Sequence, residues 1–251
     1  MTRIVFGHPL YGAELRLGRA RQLIGTMRRQ YERWQSAIQA ADPRQEFSYE
    51  GGYLLFRPEL RAINLRHVPR ISITLGETIY NIRAALDYLV YSIARASNEG
   101  VEVDETQFPL SGSKDGYWNL RWTGADPVTE KNRPGTLNNI PKDVADDLAH
   151  YQPFSGCAWA ILLSSLSNAD KHRSLTTLTT HYEFRPTGES IVEEHPYTHD
   201  KSIQRLGEIE VGLLLPTGED VVESADLVQR EVRALIRSYA GRFEFPPPRF
   251  I

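Results

Sequence analysis

Gly76-Glu77-Thr78-Ile79-Tyr80-Asn81-Ile82-Arg83-Ala84-Ala85-Leu86-Asp87-Tyr88 lies inside an apolar run from about Ile73 to Ala96. Ile79, Ile82, Leu86, Leu89, Val90 and Ile93 recur at intervals of three and four, the period of a helix. Apolar residues cover most of the circumference, so this helix is expected to be central and buried. Its polar residues fall on two adjacent stripes. Glu77, Asn81, Ala84 and Tyr88 make one, and Tyr80, Arg83 and Asp87 make the other, because residues three and four apart share a helix face. A charge in such surroundings needs a partner or a purpose, since burying it alone is costly.

A second polar cluster, Asn168-Ala169-Asp170-Lys171-His172-Arg173, closes another apolar helix that starts near Cys157 and carries Trp159, Ile161, Leu162, Leu163 and Leu166. Each cluster has a plain reading. Arg83 and Asp87 are spaced for an ion pair on one face, and Lys, His and Arg are favourable at a helix C-terminus, where Asn helps to end the helix. The density of the second cluster invites a chemical reading as well. A carboxylate beside an imidazole and two cations suits acid–base work on a phosphodiester, with His moving the proton and Arg or Lys steadying the oxyanion. The two clusters are expected to meet in the fold, because mutual pairing satisfies both.

Outward from these clusters, Leu17, Ala20, Ile24, Met27, Tyr31, Trp34 and Ile38 form a heptad seam on a helix from about Gly12 to Ala41, which Asp42-Pro43 ends. The seam is expected to pack within the molecule. Phe47–Arg57 and Ala62–Val68 read as strands of a hairpin spanning 47–68. Asn98 to Pro141 is rich in Gly, Pro, Asn and Asp, and its Tyr117, Trp118 and Trp122 suggest a long excursion docked as a lid. Pro141 opens a short helix that Pro153 breaks. A second β pair is expected within 174–215, and a last helix over Val221–Tyr239. The fold class is therefore mainly α: a single four-helix bundle domain over 1–251, its long helices near 12–41, 73–97, 142–169 and 221–240, with short antiparallel strands at one end.

A chain of 251 residues with 24% charged and 41% hydrophobic residues can bury a full core without staples. The net charge of −3 argues against a general nucleic-acid coat, although six arginines between Arg16 and Arg33 crowd the first helix. One cysteine, Cys157, cannot form an intrachain disulfide. No apolar run spans a bilayer and the first residues lack a signal-peptide pattern, so a cytoplasmic protein without membrane attachment is expected. His195 and His199 read as part of an exposed polar loop rather than a metal pair. No Walker loop, dinucleotide fingerprint or zinc spacing is present, and no cofactor or metal is expected.

The pattern Gly76-Glu77, Asn81, Arg83, Leu86-Asp87, Leu89-Val90-Tyr91, then Gln107-Phe108-Pro109, Gln152-Pro153 and Asn168-Ala169-Asp170-Lys171-His172-Arg173 resembles a widespread bacterial protein family of unestablished activity. The likeness covers roughly Glu14 to Leu178. A more distant resemblance is to the HEPN superfamily, helical bundles that include metal-independent ribonucleases of toxin and defence systems. Those enzymes pair an Arg with a His four to six residues further along a central helix. Arg83 fits, while Tyr88 stands at the position of that His; in the bacterial family His is expected there and also where Tyr80 stands, which would have made a Glu-x-x-His pair with Glu77. The resemblance implies RNA or another phosphate-containing partner and a homodimer.

Two functions stay open. The first is a non-catalytic binding or interaction protein. The second is a HEPN-like metal-independent endoribonuclease, with Arg83, Asp87, Asp170, Lys171, His172 and Arg173 in catalytic roles. Glu77, Asn81, Tyr88 and Asn168 are the candidate ligand-binding residues in either case.

Overall fold

The computed structural model describes residues 4, 7–40, 44–50, 53–59, 67–98, 106–119, 137, 139–171, 178–194 and 201–242. The protein is mainly α, with six α-helices and two two-stranded antiparallel sheets among these residues. No described helix is long and apolar enough to cross a membrane. The chain divides into two compact units. One comprises Met1–Thr26, Ile73–Thr176 and Val222–Ile251, and the other comprises Met27–Ser72 and Thr177–Val221.

The first unit is built on helices. Helix α1 runs Tyr11–Ala40, α2 His67–Ser97, α3 Lys114–Asn119, α4 Lys142–Leu148, α5 Ala158–Lys171 and α6 Val221–Ala240. The start of α1 is organised by His8, whose Nδ1 accepts the Leu10 N–H at 3.0 Å, and whose carbonyl accepts the Tyr11 N–H at 2.8 Å. Leu17, Ala20 and Ile24 of α1 are buried, as are Ile82, Leu86, Leu89 and Ile93 of α2, Leu163 of α5, and Val228, Val232 and Ile236 of α6. Glu14 ties α1 to α6: its two carboxylate oxygens accept from Arg233 Nη2 at 2.9 Å and Arg237 Nε at 3.0 Å. Two arginines one turn apart on α6 can grip one carboxylate because i and i+4 share a face. At the far end of α6 the Tyr239 hydroxyl donates to Asp147 Oδ2 at 2.5 Å, and Arg242 reaches the same oxygen at 2.7 Å.

The expected helix over 142–169 is not continuous. Leu148 ends α4, two 3-10 turns follow at Ala149–Tyr151 and Pro153–Ser155, and Gly156 adopts φ +77° before α5 begins. Pro153 cannot donate an N–H, and a left-handed φ suits glycine, so the break is local chemistry. The described part of the 98–141 excursion is docked on this unit. Phe108 and Tyr117 are fully buried, and the Tyr117 hydroxyl donates to the Ala145 carbonyl at 2.6 Å. Asn98 Nδ2 donates to the carbonyls of Ala94 at 2.7 Å and Asn139 at 3.2 Å.

In the second unit, Met27, Trp34 and Ile38 of α1 are buried, so the heptad seam is internal along its length, Tyr31 being half-buried. The Tyr31 hydroxyl donates to Asp220 Oδ2 at 3.0 Å, and Gln35 Nε2 donates to the Val211 carbonyl at 2.7 Å. Strands β1 (Arg44–Glu50) and β2 (Tyr53–Glu59) pair antiparallel from Arg44↔Glu59 to Glu50↔Tyr53. This corrects the expected hairpin over 47–68. Both strands lie inside the segment read as one strand and its flanks, with Gly51-Gly52 between them, and His67 and Val68 already belong to α2. Pro69 does not delay that helix, because a first-turn N–H has no intrahelical acceptor to lose. Strands β3 (Thr179–Glu194) and β4 (Lys201–Leu214) pair antiparallel, with the register interrupted between Pro186 and Ser190. Glu193 and Glu194 are thus strand residues, while His195 and His199 lie outside the described residues.

Candidate functional site

The polar residues of α2 meet two sets of neighbours, and Tyr80, which spacing grouped with Arg83 and Asp87, lies instead by Arg16. Arg83 and Asp87 face the segment after the excursion's start. Arg83 Nη2 donates to the Phe108 carbonyl, and Asp87 Oδ1 accepts the Phe108 N–H at 2.9 Å. The two side chains also form the expected ion pair, Nε to Oδ1 at 3.7 Å. A cation and an anion four residues apart therefore hold both main-chain groups of one residue, as a neighbouring strand would. Burial lowers the Arg83 pKa and the adjacent Asp87 carboxylate pulls it back up; a guanidinium stays charged throughout.

The same segment is fixed further on. Gln152, fully buried, accepts the Ser111 N–H on Oε1 at 3.1 Å and donates from Nε2 to the Leu148 carbonyl at 3.2 Å. Between these anchors the Phe108 ring lies 6.4 Å from the Trp159 ring at the start of α5. Phe108 and Gln152 carry none of the expected site roles, yet they anchor this segment. Only Gln152 left a hint in the sequence: an amide beside a helix-breaking proline can satisfy main-chain groups that the break leaves over.

The other stripe faces α1. Asn81 is buried, donates from Nδ2 to the Glu77 carbonyl at 2.8 Å, and accepts from Arg16 Nη1 at 3.4 Å. The Arg16 guanidinium also lies 5.9 Å from the centre of the Tyr80 ring, within cation–π range. Tyr88 packs on Gly12, where a Cβ would stand 3.0 Å from the ring. Glu77 is exposed. Arg83 and Tyr88, the pair at Arg–His spacing, thus contact different elements: Phe108 for one, Gly12 for the other.

Asn168, Asp170 and Lys171 belong to the last turn of α5, and their side chains lie outside the described residues, as do His172 and Arg173 altogether. The expected meeting of the two clusters therefore falls outside the described residues. Trp159, the α5 residue that touches Phe108, precedes Asn168 by nine positions (168 − 159), about 14 Å along a helix axis. Among the described residues no group of three or more His, Cys, Asp or Glu is placed to hold a metal ion. Cys157 is half-buried with a thiol pKa raised by that burial, the reverse of an activated nucleophile.

No protein-family model, curated protein or solved structure matches this chain.

Proposed function

We propose that the chain is a non-catalytic binding or interaction protein. The observation that supports this is the engagement of Arg83 and Asp87 with the N–H and carbonyl of Phe108. A catalytic carboxylate and cation aim at a substrate, whereas these two hold the main-chain N–H and carbonyl of a residue of their own chain. The surface left for a ligand is the α1-facing stripe, with Glu77, Asn81, Tyr88 and the neighbouring Arg16. A homodimer belongs to this proposal. Its contact uses a surface other than the heptad seam, because the seam is consumed inside the molecule.

Incubation of purified protein with total RNA, with and without chelator, tests the reading. Intact RNA is the expected result. Chelator-resistant cleavage, lost in both Arg83→Ala and His172→Ala while melting is unchanged, overturns it in favour of a HEPN-like ribonuclease. Light scattering at high micromolar concentration tests the assembly, and a monomer there removes the dimer.

A further inference from the structure

Five large apolar side chains are exposed among the described residues, and Leu15, Ile73, Tyr80 and Tyr88 are four of them. All four belong to one pair of helices. Tyr80 is 61% exposed and Leu15 57%, more than Tyr88 at 41%. Ile73, Tyr80 and Tyr88, with Glu77 and Ala84 between them, follow the three-four spacing of one α2 face. Leu15 stands one turn from Gly12, on which Tyr88 packs, and next to Arg16, which lies against Tyr80. Exposed aromatic and aliphatic groups gathered on a helix pair, beside arginine, are the composition of an interface centre.

The α1 side of this face carries the cations Arg16 and Arg19, and the α2 side carries the exposed carboxylate Glu77. Arg16 is half-buried between the Asn81 carboxamide and the Tyr80 ring, and no described carboxylate pairs with it. Arg19, one turn on, is exposed and also forms no ion pair among the described residues. Glu77 lies on the same α2 stripe and pairs with neither. A partly desolvated cation whose neighbours are neutral is an unfinished ion pair, and a carboxylate arriving from outside completes it.

We infer that this face docks an acidic amphipathic helix of another protein, an inference that rests on the binding-protein reading above. Ile73 to Tyr88 spans fifteen residue steps (88 − 73), about 22 Å of helix. The occupant places apolar residues at i, i+3 or i+4 and i+7 over Leu15, Tyr80 and Tyr88, and sets Glu or Asp against Arg16 and Arg19.

The test is selection from phage-displayed random peptides of about 16 residues, long enough for about 24 Å of helix, against the full chain. The expected winners combine Glu or Asp with apolar residues at helical spacing. Their synthetic copies, read by fluorescence anisotropy, lose about tenfold or more in affinity with Arg19→Glu, as removal of one close interfacial charge pair does. Arg19 is exposed and forms no hydrogen bond or ion pair among the described residues, so that variant tests binding with little effect on folding, which a melting curve checks; Tyr80→Ser gives a second loss. Neutral or basic winners, no enrichment over an Arg16→Glu/Arg19→Glu control, or displacement by an oligonucleotide or by a second copy of the chain overturns the inference. RNA cleavage by the wild type would defeat the binding-protein reading instead, so the two failures are separable.

Discussion

Arg83 and Asp87 form a loose ion pair, and their value lies in what each holds. Hydrogen bonds with one charged partner contribute about 1.5–3 kcal/mol each, whereas an exposed i,i+4 pair contributes only about 0.3–0.5 kcal/mol. Arg83→Ala is therefore expected to cost about 2 kcal/mol, chiefly by stranding the Phe108 carbonyl. Asp87→Asn keeps an oxygen acceptor and is expected to cost less than Asp87→Ala. Urea titration of the single and double variants checks this. A double-mutant coupling indistinguishable from zero would mean the two do not act on Phe108 together. His8 offers a second check. Burial lowers its pKa, and its Nδ1 is an acceptor for the Leu10 N–H. The neutral ring is the one the fold favours, so its contribution is complete above the ordinary value of about 6.5 and is lost as pH falls through the lower folded value. A proton-NMR titration is expected to place His8 below that ordinary value, and a midpoint above it would contradict the contact.

Among elements, the junction of α1 and α6 is the most exacting. Glu14 is 12% exposed and accepts from two arginines. Glu14→Gln leaves both cations facing a neutral amide. Breaking a fully buried pair costs about 3–5 kcal/mol; these arginines keep partial water access, so about 2 kcal/mol is expected. Thermal melts of Glu14→Gln and of Arg237→Lys measure it, the lysine variant losing less because Arg233 still pairs. The helices themselves were legible in the sequence. The Leu17–Ile38 seam and the Ile79–Ile93 run carried the period that burial imposes, and both are internal. The starts of elements were less so. The start of α2 at His67 was not legible because a proline in the first turn and a proline that breaks a helix look alike in sequence. The site was half legible: the α2 stripes and the Arg83–Asp87 pair follow from spacing. Their true partners, the main-chain N–H and carbonyl of Phe108, have no side-chain signature and could not be read.

At the scale of the molecule, α1 contributes its first half to one cohesive unit and its second half to the other. Within the first unit, Tyr239, Asp147 and Arg242 join the end of α6 to the end of α4. Burial first, and the Asp147 hydrogen bond second, raise the Tyr239 pKa well above its ordinary value. The neutral phenol is the form the fold favours. Its contribution is therefore complete below about pH 10 and declines as pH rises from there towards the folded value. Tyr239→Phe is expected to lower stability at neutral pH by about 1 kcal/mol, one hydrogen bond, and to flatten the alkaline part of the stability curve. Denaturant midpoints collected from pH 7 to pH 11, spaced at about one unit, read both effects. Parallel alkaline slopes for the two proteins would show that Tyr239 does not titrate with folding.

The grip on Phe108 also bears on how this chain can vary through descent. Arg83 and Asp87 hold residue 108 by its main chain, which every amino acid shares, so this grip places no demand on which side chain stands at 108; the Trp159 ring does. Residue 108 is then free to drift among apolar types together with 159. Residues 83 and 87 are bound to each other and to the main chain at 108. A saturation library scored for folding would show this as tolerance of Leu, Met or Tyr at 108 beside near-invariance at 83. A proline at 108 would be the exception, because it alone removes the hydrogen that Asp87 holds.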